Sequence, residues 1–397
     1  MKRSRLTAVA AAIASLSVVV VLSGCGGASP EPAESGSANT DPYQWGINAE
    51  LSGNVSFYGK SLEAGIQAYV DEVNADGGID GHPIELTALD NAGDAARSTT
   101  NATQLATADG VTAMFGFVLS ANCSAATPIV ERNKVPLACL SVAEPNDYVF
   151  SLGPNSTLMG GALLEATKTV TGEDEPKVAL LHVNTLTVTA LAEAIQEQAA
   201  DAGVDLVESQ EVDLAATDSS AQIAKIVASQ PDAVIISNFG PGFLAGLKGL
   251  RAAGLDVPVV WADGTGNLSS LAESTDENVY AMTAYQLVQA DASSGAEGAY
   301  LEAVGPTLDP VDALTLNTGY TAMAYMTARA FGDATRECGY PCTGEQLQEI
   351  LSTFSTDMES MVADFSYDND RHYPYSNWYL YHVVGTEYDE VEMFPHD

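Results

Sequence analysis

The residues that could do chemistry in this chain are few and scattered. Five histidines, His82, His182, His372, His382 and His396, stand far apart, with no H-E-x-x-H, G-x-S-x-G or P-loop pattern. Gly240-Pro-Gly-Phe-Leu-Ala-Gly246 follows an apolar run but misses the dinucleotide fingerprint by one residue of spacing. Glycines there more simply let a loop approach a cleft and open a helix. No catalytic machinery, metal site or cofactor is expected. The remaining reactive side chains are the cysteines Cys25, Cys123, Cys139, Cys338 and Cys342.

Cys25 closes an N-terminal export pattern. Lys2, Arg3 and Arg5 form a basic start, and Leu6 to Leu22 is a run of small apolar residues ending in Leu22-Ser23-Gly24-Cys25. This L-S-G-C resembles the lipobox of bacterial lipoproteins, which implies cleavage after residue 24 and acylation of Cys25. The run barely reaches the roughly 17 residues that a membrane span needs. Residues 25–43 are small, polar and interrupted by proline, the composition of a flexible tether. The expected location is therefore the extracytoplasmic face of the cell membrane, held by lipid.

Four cysteines then remain in an oxidising compartment, and an even number suggests two disulfides. Cys338 and Cys342 flank a Gly-Tyr-Pro turn and could close on each other, leaving Cys123 with Cys139. Three connectivities are possible. A zinc site at C-x3-C lacks the further thiols or imidazoles that four ligands require.

The balance of charge excludes other partners. Lys+Arg number 15 against Asp+Glu 53, a net charge of −38 at pH 7. Duplex DNA, RNA and anionic headgroups all demand a basic surface, so nucleic acid is not a partner. Carboxylates such as Glu193, Glu197 and Asp201 read as a solvated helix face. Only Lys60 and Arg371 fall where a cleft is expected, and a polyanion would want an arginine clamp. The expected solute is a zwitterionic, neutral or cationic small molecule.

The elements behind these residues alternate. Apolar runs recur at residues 45–49, 84–89, 111–118, 135–140, 178–183, 204–207, 233–237, 257–262 and 279–283. Between them lie helical patterns: Leu62, Ile66, Tyr69, Val70 and Val73 keep one face, as do Leu191, Ile195 and Ala199. Strands that are apolar throughout and alternate with helices imply parallel sheets covered on both faces. The pattern restarts near residue 178. The expected fold is α/β, two doubly wound parallel-sheet lobes joined by a three-segment hinge. Residues 44–155 plus 288–364 make the N-terminal lobe, and residues 156–287 plus 365–397 make the C-terminal one. After Thr283 the chain is expected to be helical at residues 296–304, 314–331 and 345–354, then strand-like at 378–384.

Asn48-Ala-Glu-Leu-Ser-Gly53, Tyr58-Gly59, Gly65, Asn74-Ala-Asp-Gly-Gly-Ile-Asp-Gly81 and Asp90 resemble the opening of type I periplasmic binding proteins of the branched-chain amino acid transport group. Phe115-Gly116, Ser120, Val135-Pro136, Ser141 and Phe150 continue the register to about residue 385. The resemblance implies a monomer that captures an amino-acid-like solute between two lobes and delivers it to an ABC permease in the membrane. A surface sensor feeding a signalling receptor is the alternative that uses the same fold.

Ligand positions follow from the resemblance and from the rule that open parallel sheets bind at the carboxyl ends of their strands. Ser120, between a strand and a helix, would take a carboxylate with the adjacent amides, a position that equally suits a helix cap. Ser141 and Ala143 would offer backbone groups, although Ala143 lacks the family's usual hydroxyl. Asp263 matches the acidic position that holds an ammonium, or caps a turn before Gly264. Phe239 takes an aromatic-wall position or a place in the core. Thr187-Val188 stands where the family commonly has Tyr-Gly, so Tyr58 and Phe117 are expected to supply aromatic surface instead.

Overall fold

The computed structural model describes residues 40–140, 146–153, 155–264, 271–272, 274–291, 293–308, 316–356, 358, 361, 365–367, 372–375, 377–385 and 387–395, with only the backbone of Ser156, Asp263 and Gly264. The expectations for Cys25, Ser141, Ala143, Arg371 and the side chain of Asp263 lie outside the described residues.

The first sheet is built from β1 (Tyr43–Ala49), β2 (Ile84–Asp90), β3 (Ala113–Gly116), β4 (Leu137–Cys139) and β5 (Val149–Ser151). All pairs are parallel and the order is β2-β1-β3-β4-β5. Period-two alternation divides its side chains between two cores. Ala113, Phe115, Ala138 and Phe150 face one, and Met114, Leu137, Cys139 and Val149 the other. Such burial on both faces is what a wholly apolar strand demands. Each fully buried large apolar side chain contributes about 1.5–3 kcal/mol.

Helices α1 (Ser56–Ala75), α2 (Ala95–Gln104) and α3 (Ser120–Asn133) connect these strands. The exit of α1 shows why N-x-x-G-G-I-x-G is so specific a stretch. Asn74 donates its carboxamide N–H to Ile84 O and accepts from Ile84 N, both at 2.8 Å, clamping helix end to strand start. Gly78 has φ +85, and a Cβ there would meet His82 O at 2.2 Å. Asp80 and Gly81 are both left-handed, at φ 52 and 89, the pair a tight two-residue turn requires.

After α4 (Ser156–Thr171) come β6 (Lys177–Val183), α5 (Leu186–Gln198), β7 (Asp205–Val212), α6 (Ser220–Ser229), β8 (Ala233–Ser237), α7 (Gly240–Ala252), β9 (Val259–Gly264) and β10 (Val279–Thr283). Two more strands, β13 (Asn377–Val384) and β14 (Glu387–Pro395), complete a seven-stranded sheet ordered β14-β13-β10-β9-β8-β6-β7. β13 and β14 run antiparallel, so this sheet is parallel only as far as β10. β13 answers to the strand expected at residues 378–384, whereas β14 and β5 are additions to the strands expected from sequence. β14 alternates acids with apolar residues and is largely exposed, which hid it, while its Glu387, Asp389, Glu390 and Glu392 discourage edge-to-edge pairing.

Between β10 and β13 lie α8 (Gly295–Val304), α9 (Thr321–Cys338), α10 (Gly344–Leu351) and a two-stranded ladder of β11 (Ser355–Thr356) with β12 (Phe365–Ser366). α9 packs back on the first sheet, where Phe331 meets Phe115 at 4.9 Å and Phe150 at 6.1 Å. It also lies against α1 so closely that a Cβ on Gly65 would come within 2.2 Å of Thr321 O. The chain therefore passes between the sheets three times: after β5, after β10 and before β13. The last passage seals β5, since the Ser151 amide donates to His372 O at 2.7 Å and the Tyr367 hydroxyl to Ser151 O at 2.8 Å. Cys123 pairs with Cys139, tying α3 to β4, and Cys338 pairs with Cys342.

Candidate ligand-binding cleft

Each sheet has a switch point, between β1 and β3 in the first and between β6 and β8 in the second, and Tyr58 joins the two. It sits in the first turn of α1, 4% exposed. Its hydroxyl accepts the amide N–H of Gly240, the first residue of α7, at 2.9 Å. Its ring meets Phe239 at 5.1 Å and Tyr320 at 5.3 Å. Phe239, the residue before α7, gives that helix no side-chain cap, so a group from the opposite lobe satisfies one of the helix's orphan donors. The loop it approaches is fixed from below: Trp261 Nε1 donates to Asn238 O at 3.0 Å, and Phe239 N donates to Asn238 Oδ1 at 2.8 Å.

Beside this contact opens a cavity of about 540 Å³ at the carboxyl ends of β6, β7 and β8. Asn54, Val55 and Tyr58 border it from the first lobe, and Asp213, Asp218 and Phe239 from the second. Two positions singled out in the sequence, Tyr58 and Phe239, thus come together on its wall.

The other expected positions are dispersed. Ser120 is the first residue of α3, buried at 4% exposure and away from the cavity's lining. Thr187 is the second residue of α5, half-buried, also off the lining. Phe117 requires a correction. It is fully buried in the core with Cys123, Ile129 and Val130, so its ring packs against protein and offers no aromatic surface to a cleft. Lys60 is exposed and does not border the cavity either.

A buried carboxylate shapes the turn before Ser120. Glu50 is fully buried and accepts from Val118 N at 2.8 Å, Leu119 N at 3.4 Å and Asn122 Nδ2 at 2.6 Å. Burial pushes its carboxyl up from the ordinary value, and the donors of Val118, Asn122 and Leu119 offset only part of that. Behind it runs a chain of buried amides: Asn91 Nδ2 donates to Asn48 Oδ1 at 3.3 Å, and Asn48 Nδ2 donates to Ser98 O at 2.9 Å. Asp90 behaves in the opposite sense. Burial raises it, yet the Ser52 hydroxyl at 2.6 Å and the amides of Ala92, Ser52 and Leu51 hold it below the usual range.

A two-lobed α/β molecule with a cavity between the carboxyl ends of its sheets has the geometry to enclose a small molecule. The periplasmic binding protein family model matches residues 42–387, and the chain belongs to that family. It is 24% identical over 225 residues to the Leu/Ile/Val-binding protein of Citrobacter freundii, covering 55% of this chain and 60% of that one. The chain thus spans less than two thirds of that relative's length. The substrate binding protein LivJ of the Streptococcus pneumoniae branched-chain amino acid transporter, solved with isoleucine, superposes with a TM-score of 0.75 at 21% identity, over 89% of this chain and 99% of LivJ. A solute binding protein of a Rhodopseudomonas palustris ABC transporter, solved with 4-hydroxybenzoate, gives 0.75 at 19%, over 89% and 97%. These relatives are binding proteins, not enzymes.

Proposed function

We propose that the protein captures a small, amino-acid-like solute between its lobes and delivers it to an ABC permease. The Tyr58 to Gly240 contact carries this reading, because it makes closure of the lobes and completion of the cavity one event. A solute touching both walls stabilises the closed form, and the permease reads closure as a population shift. The printed ligands of the structural relatives, isoleucine and 4-hydroxybenzoate, mark the two chemistries to try first. The pair of rings at Tyr58 and Phe239 suits an aromatic or branched side chain equally.

The N-terminal pattern supports a lipid anchor on Cys25, with residues 25–43 as tether and the globule outside the cytoplasm. Among the described residues no helix is long and apolar enough to cross a membrane. The test is a thermal-shift screen of the purified protein against amino acids and aromatic acids, followed by solution scattering. Selective binding raises the melting temperature and compacts the particle. A verified ligand that leaves the radius of gyration unchanged would refute the hinge mechanism.

A further inference from the structure

The cavity beside Tyr58 has a one-sided charge. No lysine, arginine or histidine occurs among the described residues that line it, whereas two carboxylates, Asp213 and Asp218, border it from the loop between β7 and α6. Both are held in place. Asp213 accepts from Ala215 N at 2.8 Å and from Asn184 Nδ2 at 3.2 Å. Asp218 accepts from the amide of Ser220 at 2.9 Å and from its hydroxyl. Asn184 also accepts from Leu214 N at 2.8 Å, which ties the ends of β6 and β7 together. The remaining wall combines apolar and aromatic side chains, Leu181 and Val212 beside Tyr58 and Phe239, with the uncharged polar Asn54, Asn184, Thr217, Ser219 and Asn238.

We propose that this compartment receives the cationic end of an elongated solute, an ammonium or guanidinium carried on an apolar chain. The proposal rests on the solute-binding reading above and adds the class of ligand. Leu181, Val212 and the two rings offer a surface for the chain, while Asp213 and Asp218 accept the charged donors. A cavity of about 540 Å³ falls within the range that encloses a whole small molecule, roughly 300–1,000 Å³. Asp213 and Asp218 are exposed in this arrangement, and a solute gripped by both lobes covers them, which strengthens the attraction as water leaves. An anionic tail meets two carboxylates there and, among the described lining residues, no cationic side chain.

The test is calorimetric titration with L-lysine and L-norleucine, which share a straight chain and differ by a terminal ammonium. Lysine is expected to bind about fivefold or more tightly than norleucine. That advantage should fall within about twofold in Asp213→Asn/Asp218→Asn, whose carboxamides retain an acceptor for the Ala215 and Ser220 amides. Equal affinity for the two compounds, or a preference that survives the double variant, overturns the cationic compartment and leaves the solute-binding reading intact. Binding of isoleucine or 4-hydroxybenzoate without lysine overturns the compartment alone, and failure of lysine, norleucine, isoleucine and 4-hydroxybenzoate alike to bind overturns both.

Discussion

Tyr58 of one lobe accepts a hydrogen bond from Gly240 of the other at 2.9 Å, and this bond caps α7 across the cleft. Tyr58→Phe keeps the ring against Phe239 and Tyr320 but removes the acceptor. A net hydrogen bond is worth about 0.5–1.5 kcal/mol, so solute affinity should fall roughly two- to tenfold through loss of the closed form. Tyr58→Ala, which also removes the ring, should cost more. Titration of both variants with the best ligand of the thermal screen checks the order.

Glu50 lies under the turn that leads to Ser120, and its carboxylate faces only donors. Glu50→Gln turns an NH2 group toward one of them. The expected cost is about 1–3 kcal/mol at neutral pH, read from denaturant melts. The pH dependence has a definite sign. Because the folded carboxyl is raised, the folded state binds the proton more tightly than the unfolded chain. Its ionisation therefore subtracts stability as pH rises from the unfolded to the folded value, and Glu50→Gln should remove that slope.

Arg251 and Asp276 form a fork, with Nε to Oδ2 at 2.6 Å and Nη2 to Oδ1 at 3.1 Å, and Arg251 Nη1 donates to Leu255 O at 2.9 Å. Burial raises the Asp276 carboxyl, but Arg251 and the Asn278 amide outweigh it and leave the value lowered. This pair adds stability above the unfolded aspartate value and loses it as pH falls through the folded one. Arg251→Lys cannot make the fork and should cost about 1–2 kcal/mol, a difference that shrinks in acid melts.

The Cys123–Cys139 bridge closes a loop of 16 residues between α3 and β4. Its removal in Cys123→Ser/Cys139→Ser should lower stability by about 3 kcal/mol. Urea titration with and without reductant checks this, since the reduced protein and the double variant should converge on the same midpoint once Cys338–Cys342 is accounted for.

The parallel core was legible because strands buried on both faces spell continuous apolar runs, as at residues 178–183 and 233–237. The number of disulfides was legible from counting, while their pairing remained one of three connectivities until the structure joined Cys123 to Cys139 and Cys338 to Cys342. Edge strands were read unevenly: β2 was expected at residues 84–89, but β5 and β14 were missed and β7 was cut short. β7 is half-exposed through Glu208, Ser209 and Gln210, so its apolar signature stops at Val207 although the strand continues to Val212. That shortfall of five residues concealed Asp213 and Asp218 as loop residues at a strand end. Glu50 and Gly240 escaped for a different reason: a buried carboxylate and a backbone amide carry no periodicity, and their partners lie 68 and 182 positions away. Phe117 was misplaced because a left-handed residue, φ 60, turns its ring away from the direction that strand alternation predicts.

The return of α9 onto the first sheet sets an order of assembly. One face of β1 and β3, with Trp45 and Phe115, is only partly covered, by Tyr69 of α1, until residues 321–338 have been synthesised, after β6 to β10 of the second sheet. Neither half is thus finished before the other has begun, since β13 and β14 close the second sheet later still, and a chain interrupted before Thr321 would leave its earliest strands sticky and in need of a holdase.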